Sequence, residues 1–446
     1  MSNLTAVVLV VAVVAGGGLL ARRRFPAACW VLAGLPVAWV RLHLTYAATM
    51  EVCGLTVTPS RARAFLTRTV ARREVRPVAP RIVRVRPSAT GLRVRLRLPA
   101  GLEPADVAAA SVRLRHAWGV HAVHVAEIKP GVVELRMTGY DVLKRVRMPR
   151  RGLPTGALVV PVALREDGTP FVRDYRAIPH ALTLGANQSG KSMYLRNLIT
   201  ALAARPVALV GIDCKRGVEQ RRFGPRLSAL ATTPDEASGL LAALVAVMEE
   251  RFDLLSERGV SDVWDLPAEL RPTPVVVLVD EVAELFLVAA KKDEARRDEM
   301  VTRLVRLAQM ARAVGIYLEI CGQRFGSDLG KGATLLRAQL TGRVVHRVND
   351  KQTVEMGLND IAPEAIPVAT TIAPDRPGLA VAGDASGAWS RIRTVEIAPD
   401  TAAAVCRTFA HLTPDLPALA AWRPAAPAVP DAGERPSLVK PAPVTD

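Results

Sequence analysis

The eight residues Gly185-Ala186-Asn187-Gln188-Ser189-Gly190-Lys191-Ser192 fit GxxxxGK[ST], and they constrain this chain's fold more than any other stretch. The pattern has physical meaning only between a strand and a helix. Both are expected here: the apolar HALTL from His180 precedes it, and MYLRNLITALAA from Met193 follows it. Gly185 and Gly190 let the loop turn its backbone N–H groups toward a phosphate, and the helix N-terminus adds partial positive charge. Ala186, Asn187, Gln188 and Ser189 complete that cradle. Lys191 is expected to reach β- and γ-phosphates and the Ser192 hydroxyl to ligate Mg²⁺, so ATP and Mg²⁺ are the expected cofactors.

A second stretch supplies acids. PVVVLVDE, Pro274 to Glu281, reads as a buried strand ending in two carboxylates. Asp280 suits the Mg²⁺ shell, and Glu281 is placed to polarise an attacking water as general base. A core strand ending in a helix-capping acid is the plainer reading, and the phosphate loop upstream weighs against it. Further on, AVGIYLEICGQR puts Gln323 at the end of another apolar strand, where a polar side chain can sense a γ-phosphate. By itself a strand-end glutamine means little.

From residue 155 to about 398, short apolar runs alternate with helical segments, the rhythm of a parallel sheet with crossover helices. The expected strands are Ala181–Gly185, Val207–Asp213, Val275–Asp280, Ile316–Gly322 and Arg343–Val348. Upstream, TGLRVRLRLPAG alternates with period two, and a helix (Pro104 to Gly119), a strand, a KPG turn and a strand follow. That is a small α+β module.

The N-terminus is apolar. Leu4 to Leu20 has no charge over 17 residues and Phe25 to Val40 none over 16, with Arg22, Arg23 and Arg24 between them. Each is near the short limit for a bilayer span. Two spans would leave the arginines outside, against the positive-inside tendency, whereas one span with the second segment in the interface would satisfy it. A cleaved signal peptide is disfavoured because MSN is uncharged.

Charge points to a polyanion. The chain carries a formal +17, and Arg61 to Arg97 holds twelve arginines against one acid, Glu74. Arginine grips phosphate bidentately at any accessible pH. DNA, anionic membrane lipid beside the apolar segments and a merely solvated face all remain open for this stretch. The five cysteines form no CxxC or Cys/His cluster, which argues against zinc, iron–sulfur and disulfide frameworks.

Together, the phosphate loop, VGIDCKRG (Val210 to Gly217), MEERFDLLSERGV (Met248 to Val260), VVVLVDE, ARAVGIYLEICGQR (Ala311 to Arg324) and LLRAQLTGRVVHRV (Leu335 to Val348) resemble, in order, the motor domain of the FtsK/SpoIIIE DNA translocases. The likeness covers roughly residues 155 to 385. It implies an α/β fold, a RecA-like P-loop NTPase motor domain, that assembles into a hexameric ring and threads double-stranded DNA using ATP. Arg343 matches the family arginine that reaches a neighbouring subunit's nucleotide; a surface arginine on a strand is the bland alternative. Two positions depart from the family pattern: Phe325 stands where proline is usual, and Asp350-Lys351-Gln352 where Asp-Ser-Arg is.

These readings together divide the chain into one or two membrane segments at 1–45, a basic juxtamembrane linker at 46–74, a small α+β domain at 75–150, the motor at 151–398, and a short helix with a Pro/Ala-rich disordered tail at 399–446. A tail this short leaves no room for a winged-helix reader of DNA polarity. This layout looks most like the FtsK-type transfer proteins of actinomycete conjugative plasmids and integrative elements. It implies a cell-membrane location with the ATPase in the cytoplasm, and double-stranded DNA, membrane lipid and further copies of the chain as partners. A chromosome-partitioning motor, an FtsK-like ATPase of protein secretion and a non-hydrolysing membrane anchor are the competing readings.

Overall fold

The computed structural model describes residues 24–58, 77–149, 156–288, 290–326 and 329–425; the apolar run at 4–20, most of the basic linker and the end of the tail lie outside them. The chain divides into two compact units. One comprises Met1–Arg151, Ala163–Phe171 and Ser390–Arg393, and the other Gly152–Val162, Val172–Trp389 and Thr394–Asp446.

In the first unit, helix α1 (Pro26–Val52) is long and apolar enough to cross a membrane. A π-helical turn interrupts it at Trp30–Gly34. It continues through residues 46–52, which the sequence assigned to a linker, because LTYAATMEV sustains helical spacing. Trp30, Ala38, Leu42 and Met50 are buried at intervals of four or eight, a single stripe. The other side exposes Val37, Val40 and Leu44.

That stripe packs on a four-stranded antiparallel sheet, β1 (Arg81–Pro87), β2 (Gly91–Arg97), β3 (Ala122–Lys129) and β4 (Val132–Thr138), ordered β1-β2-β4-β3. Between β2 and β3 the expected single helix is two, α2 (Pro104–Ala109) and α3 (Ser111–Trp118). Period-two alternation turns Leu92, Val94 and Leu96 into one core with Leu42, Met50, Leu114 and Trp118. The arginines between them face the other way.

The second unit is built on a ten-stranded sheet. Its strands are β5 (Val159–Arg165), β6 (Pro170–Asp174), β7 (His180–Leu184), β8 (Ala208–Ile212), β9 (Ala229–Ala231), β10 (Val275–Val279), β11 (Ile316–Gly322), β12 (Gly342–His346), β13 (Leu379–Asp384) and β14 (Trp389–Thr394). The order is β6-β5-β14-β13-β12-β7-β11-β10-β8-β9. The six strands from β12 to β9 run parallel, and β13 joins β12 antiparallel. Each of the five expected strands lies within two residues of its expected bounds. Placing β11 between the phosphate-loop strand β7 and the acidic strand β10 is the RecA-like order.

The central strands are buried on both faces, which is why VVVLV in β10 reads as a continuous apolar run. Its longer helices are α4 (Lys191–Ala203), α5 (Pro234–Arg258), α6 (Glu294–Met310), α7 (Ala333–Gln339), α8 (Lys351–Leu358) and α9 (Pro399–Thr408). Helices α5 and α6 pack with Leu182, Leu184 and Val277 on one face. On the opposite face α4 brings Tyr194 against His346.

Candidate nucleotide-hydrolysis site

The loop between β7 and α4 is held by its own backbone. Gly185 N–H donates to the Gly322 carbonyl at 3.1 Å and Ala186 N–H to Arg347 at 2.9 Å, tying the loop to its two neighbouring strands. Gly190 has φ +106°, and a Cβ there would lie 2.2 Å from the Gly378 nitrogen. Only glycine meets both demands. A Cβ at Gly185 would lie 2.4 Å from Ser189 Oγ.

Lys191 opens α4 and reaches back to the end of β10. Its Nζ donates to Glu281 Oε2 at 3.0 Å and to the Asp280 carbonyl at 3.2 Å. Burial alone would depress the lysine, but Glu281, with Cys321 and Asp280, raises its pKa on balance. The Gln323 N–H donates to the other Glu281 oxygen at 3.1 Å. Glu281 is thus oriented from both sides.

Asp280 differs from its neighbour. Burial, only partly offset by Lys191, pushes its carboxyl up to about 6. Its Oδ1 is buried with no protein partner among the described residues. An acid strand end with a free buried oxygen suits a hard cation, so Asp280 and the Ser192 hydroxyl fit a Mg²⁺ site. The cavity beside them measures about 420 Å³ and is lined by Ala186, Gln188, Lys191, Ser192, Asp280 and Gln323, among others. Its lining and the N–H cradle fit a nucleotide polyphosphate.

Sequence reasoning missed Lys215. It lines the same cavity, and its Nζ is 3.5 Å from Glu281 Oε2. The loop that presents it is organised by Asp213, whose carboxylate accepts the N–H groups of Lys215, Glu219 and Gln220 at 3.3, 2.9 and 3.1 Å. Arg216 at φ +60° and Gly217 at φ +73° make the reversal. The signal was present in VGIDCKRG, since charges just past the carboxyl end of a parallel strand fall where such sheets bind ligands.

Arg343 is not brought to this cavity. It lies in β12 beside Leu182 of β7, 3% exposed, and donates to the Arg337 carbonyl at the end of α7 at 2.8 Å. Alternation puts it on the sheet face opposite His346 and hence opposite α4. Burial, partly offset by Asp360, lowers its guanidinium to about 10.

The two departures from the family pattern have local explanations. Phe325 is buried edge-to-face against Phe286, with ring centres 6.0 Å apart. Asp350 caps α8 by accepting the Thr353 N–H at 2.7 Å, and Gln352 accepts from Arg324 at 2.9 Å. A glutamine acceptor thus meets the arginine that follows Gln323.

Comparisons with known proteins agree with this geometry. Residues 14–139 match the actinomycete conjugal transfer protein N-terminal domain, and residues 154–269 and 265–327 match the FtsK/SpoIIIE family. The chain is 54% identical over 417 residues to transfer protein TraSA of Streptomyces ambofaciens, covering 91% of this chain and all of that one. It is 72% identical over 272 residues to a protein of Streptomyces azureus named sporulation regulatory protein, covering 61% of this chain and 89% of that one. In fold it resembles the monomer form of the pCW3 conjugation coupling protein TcpA with ATPγS, at TM-score 0.54 and 18% identity over 74% of this chain and 93% of that one. Lys191 and Asp280 line one cavity, and Glu281 is bonded to Lys191; with the family match this makes the second unit a nucleotide-binding ATPase, and the chain belongs to the FtsK/SpoIIIE family, among the actinomycete conjugal transfer proteins.

Proposed function

We propose that this protein is a membrane-associated, ATP-driven translocase of double-stranded DNA that works as a ring and moves plasmid or integrative-element DNA between cells in conjugation. The observation that carries the reading is the intact hydrolytic set at Lys191, Asp280 and Glu281 in a chain that matches conjugal transfer proteins along most of its length. The cytoplasm supplies ATP, so the motor lies on that side, and α1 with its exposed Val37, Val40 and Leu44 provides the membrane contact.

Chemically, polyphosphate and Glu281 compete for Lys191. When Lys191 turns to the β- and γ-phosphates, Glu281 Oε2 is released to accept a proton from the attacking water, while the Gln323 N–H keeps Oε1 in place. The Mg²⁺ held by Ser192 and Asp280 would neutralise charge on the phosphate oxygens. Gln323, at the cavity wall, is positioned to report on the γ-phosphate. The trans role of Arg343 rests on the family resemblance: buried and bonded to Arg337, it would reach a neighbouring subunit only after that bond is released.

The test is the DNA dependence of ATP hydrolysis by the full chain in detergent. Turnover is expected to rise with added duplex and to vanish in Lys191→Ala. Activity indifferent to DNA would overturn the translocase reading. Mixing Glu281→Gln with Arg343→Ala subunits tests the trans role: recovered activity supports it, and none refutes it.

A further inference from the structure

The outer face of the small sheet is paved with arginine. Arg81, Arg84 and Arg86 of β1 stand directly opposite Arg97, Arg95 and Arg93 of β2, and Arg93 is in turn opposite Arg136 of β4. A register shift between Ile82 and Arg84 makes this possible. Three positions apart in a regular strand, Arg81 and Arg84 would point to opposite faces; the extra residue, Val83, restores them to one face.

Like charges directly opposite one another destabilise a sheet, so this arrangement works against the fold that carries it. Two acids relieve it in part: Glu134 accepts from Arg95 at 2.9 Å and from Arg136 at 3.3 Å, and Asp167 accepts from Arg136 at 3.0 Å. Among the described residues Arg81, Arg84, Arg86, Arg93 and Arg97 have no carboxylate partner, and all five are exposed. Charge on β1 serves the known need to blunt an edge strand. That need does not extend to β2, which is paired on both sides.

We infer that this arginine face is a sequence-independent binding surface for the phosphate backbone of duplex DNA, separate from the motor. Same-face residues recur about every 6.7 Å along a strand and strands lie about 4.8 Å apart, so the guanidiniums form a continuous strip. Guanidinium pairs with phosphate bidentately. Anionic lipid offers the same phosphate chemistry, and the geometry argues against it. Leu92, Val94 and Leu96 share a core with Leu42 and Met50 of α1, whereas the alternating arginines point away from α1. A bilayer that receives the exposed apolar flank of α1 therefore lies on the helix side of the sheet, and the arginines face the opposite way.

The test uses the full chain in detergent, a short duplex of arbitrary sequence, and Arg84→Gln/Arg86→Gln/Arg93→Gln with the matching triple lysine variant. Each phosphate contact adds about 0.9 to the slope of log affinity against log salt, so the glutamine variant is expected to lose about 2 to 3 from that slope. The lysine variant is expected to keep most of it, and basal ATPase without DNA is expected to be unchanged in both. An unchanged slope overturns the inference, as does loss of binding to phosphatidylserine vesicles with duplex binding intact. Lost duplex affinity in a variant whose basal ATPase has also collapsed reports misfolding and counts against it unless the lysine variant restores both. Because equilibrium binding is read without ATP, the inference stands or falls separately from DNA-stimulated turnover.

Discussion

The Lys191 ammonium is bound to the Glu281 carboxylate at 3.0 Å, so the residue proposed to grip phosphate and the residue proposed to activate water occupy each other. Removing the charge of Glu281 frees the lysine. Glu281→Gln is therefore expected to lower turnover by about 100-fold or more while nucleotide binds at least as tightly as in the wild type. Lys191→Ala is expected to lose binding itself. Equilibrium titration with a fluorescent ATP analogue, beside steady-state hydrolysis, separates the two; weaker binding in Glu281→Gln would show that the pairing does not restrain Lys191.

Lys215 is a second cation on the same carboxylate oxygen, at 3.5 Å. Its side chain is part-exposed, so its worth lies in contact with phosphate and not in stability. Lys215→Ala is expected to reduce kcat/KM by about tenfold with an unchanged melting temperature, and Lys215→Arg to recover part of the loss. Equal activity in Lys215→Ala would remove it from the site.

The strands that flank the nucleotide were legible because both periodicity and punctuation are local: HALTL, VVVLV and IYLEICG are apolar runs that end in glycine or acid. What could not be read depends on distant partners. Arg173 and Glu319 stand 146 positions apart and meet at 2.5 Å inside the sheet. Arg343 was expected to reach a neighbouring subunit's nucleotide, or else to lie on the surface of a strand, and instead it is buried and bonded to the Arg337 carbonyl of α7. Strands β5, β6, β9, β13 and β14 were not expected: β9 is three residues long, β5 carries a proline, β13 ends in Gly-Asp, and β6 and β14 are interrupted by charge, so each is a strand only because a neighbour supplies the other half of the ladder. Hydropathy found the helix at Phe25 to Val40. It had no means of showing that Trp30, Ala38, Leu42 and Met50 face a sheet while Val37, Val40 and Leu44 do not.

The far end of the phosphate-loop helix is held by a buried arginine. Arg226, fully buried, donates to the carbonyl of Ala203 at the end of α4, where the helix dipole is negative, and to those of Arg205 and Val207 in the turn that follows, at 2.8, 2.7 and 2.9 Å. Arg226→Ala strands those carbonyls and empties the space. A loss of about 3 to 5 kcal/mol is expected, measured as a shift in the urea midpoint. Arg226→Met fills the volume without the donors, so a Met variant as stable as wild type would show that packing, and not capping, holds α4.

Acid should weaken the motor through His180. This residue, first in β7, is 2% exposed, and its Nδ1 accepts the Leu318 N–H at 3.1 Å, which requires the neutral ring. Burial, reinforced by Arg173 and Arg312, pushes its pKa down to about 3, and burial takes His346 to about 4. In the unfolded chain both titrate near 6.5, so between that value and the folded pKa the unfolded state binds more protons and stability rises with pH. The contribution is complete above about pH 6.5 and is lost as pH falls toward 4 and then 3, at about 1.4 kcal/mol per unit for each histidine. From pH 6.5 to 5 the pair is expected to cost about 3 kcal/mol in unfolding free energy, since each histidine is half-titrated in the unfolded chain at the upper end of that window. His180→Gln keeps an acceptor for Leu318 and removes the titration, so urea unfolding of this variant should show about half the wild-type pH slope; an unchanged slope would mean that His180 is already protonated, or solvated, in the native sheet.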